Sequence, residues 1–200
     1  MKRFSIATMF LVLVPAAASA QIPGINLNLG ARAGMFSPRS TLAETTFGDL
    51  KLKSGLGVGA SLELDLPLSP INVRANLDAA LGAKVMLDDV EGDEDVDVIA
   101  ITGDLVFRPL PRIVVFQPYL LAGAGIKKYS FESDPDFPDD DLDESDFTGH
   151  IGLGGDLKLG PIAVLAELSD YISSFKNEGT GDSKLQNDLF IMIGFRIGML

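Results

Sequence analysis

The sequence predicts an all-β fold, a closed antiparallel eight-stranded up-and-down transmembrane barrel, on three observations. Apolar and polar residues alternate with a period of two through eight segments. The connections alternate between short Pro-bearing turns and longer polar loops. No stretch after residue 20 offers the ~18 consecutive apolar residues of a membrane-crossing helix.

Composition bounds the function before any element is placed. A 200-residue chain that is 46% hydrophobic is long enough for one domain with its own core and too apolar to be disordered. The absence of cysteine removes disulfide frameworks, Cys nucleophiles and thiolate metal sites. A formal charge of −12 speaks against a nucleic-acid partner.

Residues 1–20 read as a cleaved export signal. Lys2 and Arg3 give a positive start, Phe4 to Val14 an apolar run, and Ala18-Ser19-Ala20 a small-residue cleavage box. The domain is then residues 21–200. Without Lys2 and Arg3, the 16 basic residues fall to 14 against 28 acidic, a net of −14.

The strands follow in order. The first sets Ile25, Leu27, Leu29, Ala31 and Ala33 against Asn26, Asn28, Gly30, Arg32 and Gly34. The second sets Leu56, Val58, Ala60, Leu62, Leu64 and Leu66 against Gly55, Gly57, Gly59, Ser61, Glu63 and Asp65. In the third, Ile71 through Ala83 and Val85 at odd positions oppose Asn72, Arg74, Asn76, Asp78, Ala80, Gly82 and Lys84. Segments 98–108, 116–128, 147–159 and 162–171 alternate less perfectly, and 188–199 closes the series with Leu189, Ile191, Ile193, Phe195 and Ile197 on one face. Short turns fall at 67–70, 109–112 and 160–161; long loops are expected at 37–51, 88–97, 130–146 and 173–186.

Residue types decide which face looks where. A soluble barrel would put its apolar face inside and would rarely line its exterior with glycine, which weakens a strand. Here the polar face is rich in Gly, Ala, Ser and Asn, types that fit the narrow interior of eight strands. It also carries Arg32, Glu63, Asp65, Arg74, Asp78, Lys84, Asp104, Arg108, Asp156, Lys158, Glu167 and Arg196. That balance of signs predicts a lumen plugged by ion pairs, since unpaired charges there are costly.

The signal, the run Pro118-Tyr119-Leu120-Leu121-Ala122-Gly123-Ala124-Gly125, the segment Glu167-Leu168-Ser169-Asp170-Tyr171 and the alternating last strand resemble the small eight-stranded outer-membrane barrels of the OmpA/OmpX type. The resemblance covers residues 21–200 and implies a location in a Gram-negative-type outer membrane. It also implies contact with outer-membrane lipid and lipopolysaccharide, insertion by the barrel-assembly machinery, and a monomer. Met199-Leu200 stands where such proteins usually finish on an aromatic residue.

Candidate chemistry is sparse. Gly55-Leu56-Gly57-Val58-Gly59 and Gly123-Ala124-Gly125 do not have phosphate-loop spacing and read as small lumen residues. His150 would need a nucleophile; Gly152 stands two residues on, where lipid-modifying barrels of the deacylase type carry Ser, so no enzyme is expected. The acidic runs are the unusual feature: seven acids between Asp88 and Asp97 and nine between Glu132 and Asp146, with no base in either. Carboxylates suit hard cations, which makes Asp93, Asp139, Asp140, Asp141 and Asp143 the candidate ligands for weakly bound calcium or magnesium; no other cofactor is expected. The reading is a structural or surface-interaction barrel, with passive transport of small or apolar solutes as the alternative.

Overall fold

The computed structural model describes residues 26–39, 41–45, 48–66, 69–87, 90–110, 113–131, 144–176 and 183–199. The expected export signal lies outside them. The described residues form ten strands: β1 (Asn26–Pro38), β2 (Thr41–Thr45), β3 (Gly48–Leu52), β4 (Gly55–Asp65), β5 (Ile71–Leu87), β6 (Val90–Phe107), β7 (Phe116–Phe131), β8 (Glu144–Leu159), β9 (Ile162–Lys176) and β10 (Ser183–Met199).

Eight of them close into a barrel. The order β5-β4-β1-β10-β9-β8-β7-β6 is completed by β5–β6 pairing, every contact antiparallel. Closure removes sheet edges, which lets strands sit in hydrocarbon with all ladder groups paired. The turn between β8 and β9 is the two residues Gly160-Pro161, with Gly160 at φ +73°, the left-handed geometry a tight hairpin asks of its first central residue.

The face assignment holds. Leu62 on β4, Val73 on β5, Leu105 on β6, Leu120 on β7, Leu153 on β8, Val164 on β9, Ile193 on β10 and Met35 on β1 are all exposed on the outer wall, while Arg32, Glu63, Arg74, Asp104, Asp156, Glu167 and Arg196 are buried inside. An apolar surface running round the whole molecule is what a bilayer covers and water does not.

Three expectations need correcting. First, residues 37–51 are not plain loop: β2 and β3 form a hairpin, and β3 joins the outer end of β5 through Leu50↔Leu87, Lys51↔Met86 and Leu52↔Val85. Second, the strands run past the membrane span at the outer end, so that most of 88–97 belongs to β6, and the ends of the 130–146 and 173–186 loops belong to β7, β8, β9 and β10. There the outer face no longer meets lipid, so strand continues without the apolar alternation that marks it below. Third, Gly82 breaks the parity of β5. It sits at φ +63° at a register shift between Ala80 and Ala83, with its N–H donating to Asp97 Oδ1 at 2.8 Å. One extra residue in a strand turns the residues after it to the other face: Ala83 is buried and Lys84 half-buried, the reverse of the expected pattern.

Candidate functional site

Among the described residues, the interior is where chemistry-bearing side chains converge, and every barrel strand contributes. Nearest the short turns, Glu63 on β4 is the hub. It accepts from Arg74 Nε on β5 at 2.9 Å, from Arg108 Nη2 just past β6 at 2.9 Å, from Arg196 Nη1 on β10 at 2.8 Å, and from Asn72 Nδ2 at 2.8 Å. Asp156 on β8 takes the other arms of two of these arginines, Arg108 Nη1 at 2.5 Å and Arg196 Nη2. Glu167 on β9 accepts from Arg74 Nη1 at 2.6 Å and from the Tyr119 hydroxyl of β7 at 2.7 Å. The Tyr119 ring has the guanidinium carbons of Arg74 and Arg108 each 4.8 Å from its centroid, which adds cation–π attraction to the ion pairs.

One level up, Arg32 on β1 donates to both oxygens of Asp78, at 3.0 and 2.7 Å, and to Asn76 Oδ1 at 3.0 Å. Glycine makes this bridge possible: a Cβ on Gly59 of β4, the strand between β1 and β5, would overlap Asp78 Oδ1 and crowd the Arg32 side chain. A Cβ on Gly123 would likewise overlap Asp104 Oδ1, which His150 reaches from the next strand. The expected lumen role of the Gly-rich segments is thereby given a geometric cause at these two positions.

His150 is fully buried. Its Nδ1 lies 3.0 Å from both oxygens of Asp104 and 3.2 Å from Thr102 Oγ1, and its ring stacks on Tyr171 with centroids 4.1 Å apart. Tyr171 in turn donates its hydroxyl to Asp78.

Toward the outer mouth the character changes. Phe36, Phe190, Met192, Val96, Val98 and Ala83 pack into one apolar cluster with Tyr129, Tyr171 and Leu52, the last brought in by β3. The rings of Phe36 and Phe190 lie 5.0 Å apart, and Tyr171 meets Phe190 edge-on at 5.5 Å. A buried cation is set into this half: Lys127 donates to Asp188 Oδ2 at 2.6 Å, and Asp188 also receives the Tyr129 hydroxyl at 2.6 Å.

The ion-paired lumen was expected; the apolar outer half and the Lys127–Asp188 pair were not. Parity could have found them, because Lys127 and Tyr129 stand on the same face of their strand as the small residues Gly123 and Gly125, and Phe190 and Met192 on the same face as Arg196. Of the candidate cation ligands, Asp139, Asp140, Asp141 and Asp143 lie outside the described residues. Asp93 lies within β6 and not in a loop, in the part of that strand that runs past the membrane span. At the outer rim, partial burial holds the Asp146 carboxyl above its ordinary value, and the opposing pull of Lys127 across the strand pair is the smaller effect.

No protein-family model matches the sequence, and no curated protein matches it either. Solved structures do match. Neisserial surface protein A is 12% identical, with a TM-score of 0.59, 88% of this chain covered and 97% of that one. A major outer membrane protein from Thermus thermophilus is 12% identical at a TM-score of 0.54, covering 88% of this chain and all of that one at 100%. The outer membrane protein OprG from Pseudomonas aeruginosa is 17% identical at 0.52, covering 88% and 96%. What the chain shares with them at these identities is its fold, that of the small eight-stranded outer-membrane β-barrels.

Proposed function

We propose that the chain is an integral outer-membrane barrel with a lumen closed to ions, and that its role is structural or exercised through its outer surface. The observation that carries this is the cross-lumen network: Glu63 holds arginines from three other parts of the wall, and Asp156 and Glu167 complete the brace. Such groups cannot part for a passing ion without stranding charge in a narrow interior, at several kcal/mol per broken pair. The apolar outer wall supports contact with membrane lipid, with lipopolysaccharide at the outer leaflet; export by residues 1–20, insertion by the assembly machinery and a monomeric state belong to the same reading. His150 receives no catalytic role, because its ring is buried against Tyr171 and its Nδ1 is taken by Asp104 and Thr102.

The test is single-channel conductance of the refolded mature protein in a planar bilayer, with and without divalent cations. Closed traces are expected. Stable, porin-like steps would reject the sealed lumen and put solute transport first.

A further inference from the structure

The lumen's hydrogen bonding is lopsided. Among the described residues, every buried side-chain polar atom without a protein partner lies on β1, β8, β9 or β10, four strands that are neighbours in the barrel. The facing wall of β4 to β7 has buried polar groups as deep, Asn72, Asn76 and Thr102 among them, and each is bonded.

The unpartnered atoms on the first wall are also ordered. Inward positions of β8 and β9 meet as successive rungs: Asp156↔Leu165, Gly154↔Glu167, Gly152↔Ser169 and His150↔Tyr171, and β10 supplies the next with Gln186↔Ser173. Each rung carries such an atom: Asp156 Oδ1, Glu167 Oε1, Ser169 Oγ, His150 Nε2 and Gln186 Nε2. Arg32 Nη1, also without a hydrogen bond, stands 3.5 Å from Glu167 Oε1, so one water could touch both.

Buried polar atoms in folded proteins are partnered, and where side chains do not serve, ordered water does. Rungs two residues apart are separated by about 6.6 Å along a strand, a gap that two waters joined by hydrogen bonds span. We propose that the β8–β10 wall, with Arg32 of β1, holds a thread of bound water running lengthwise through the lumen from Asp156 near the short turns to Gln186 near the outer mouth. The ligand is water itself, held by acceptors and donors of both kinds, and the opposite wall is dry.

The experiment is water-edited solid-state NMR of the refolded protein in bilayers, reading the build-up of water magnetisation at Cα sites. Glu167, Ser169 and Tyr171 are expected to build up several-fold faster than Asn72, Asn76 and Thr102, which are buried as deeply on the other wall. Thr102 controls for hydroxyl exchange, because it carries a hydroxyl but no thread. Equally slow build-up on both walls overturns the proposal, and so does equally fast build-up, which means a lumen wet throughout. Ser169→Val, with folding checked by the gel shift between unheated and boiled protein, is expected to slow the build-up at Tyr171 and His150; unchanged rates there in a folded variant also count against the thread.

Discussion

The two halves of the lumen solve one problem by opposite chemistry. Near the short turns the interior is a lattice of guanidinium and carboxylate groups around Glu63; near the outer mouth it is a packed cluster around Phe190 and Tyr171. Both fill the narrow interior that eight strands enclose. They differ in what a substitution does. A charge lattice depends on every partner, because removing one strands the others in a medium that solvates them poorly. An apolar cluster depends on volume and forgives a neighbour of similar shape.

Replacing the hub tests the sharper half of that contrast. Glu63→Ala leaves three buried arginines with only Asp156 and Glu167 to share between them and is expected to cost about 3–5 kcal/mol in reversible unfolding of the refolded protein. Glu63→Gln, nearly the same shape, is expected to recover little of it. A full rescue by Gln would show that shape, and not charge, governs this half.

Next in size is a contrast between lumen and wall. Leu62→Arg or Ile193→Arg puts a charge on the lipid face near mid-membrane and is expected to cost about 2–4 kcal/mol. Measured by the same unfolding in lipid, a negligible loss at both positions would invert the face assignment.

In the apolar half, Phe190→Leu keeps a large side chain and is expected to cost about 1 kcal/mol, several-fold less than the change at Glu63. Equal costs would erase the distinction between the halves. The smallest effect concerns the acidic segments. Asp93 and Asp139, Asp140, Asp141 and Asp143 are expected to bind calcium or magnesium weakly, with small binding heats at millimolar ion in calorimetry; no heat at that concentration leaves them as solvated surface.

How much of the molecule is legible in its sequence tracks the solvent around each segment. Between Leu56 and Leu64, or between Leu189 and Ile197, lipid on one side and a crowded interior on the other force alternation, so faces and strand count can be read directly. Where lipid ends, that pressure ends: the outer part of β6 carries acids on both faces and shows no clean alternation, and the alternation Asp49-Leu50-Lys51-Leu52 of β3 is too short to mark a strand by itself. Gly82 is invisible for another reason: in sequence a glycine in register and a glycine in a bulge are the same letter, and only its positive φ turns Ala83 inward. The lumen charges are legible as a set but not as pairs. Alternation says that Glu63 and Arg196 both face inward; their meeting depends on how the closed sheet is staggered.

That stagger bears on how the molecule is made. Glu63 and Arg196 are 133 residues apart in sequence, Arg74 and Glu167 are 93, and the seam that shuts the cylinder joins β1 to β10, the first strand to the last. Contacts of such long range cost loop-closure entropy before they return anything. A chain missing its last strand has a carboxylate hub short of a cation, and an open edge on β1 beside another on β9. Half-built forms of this barrel therefore carry open strand edges and unpaired lumen charges together, and the last strand removes both at once.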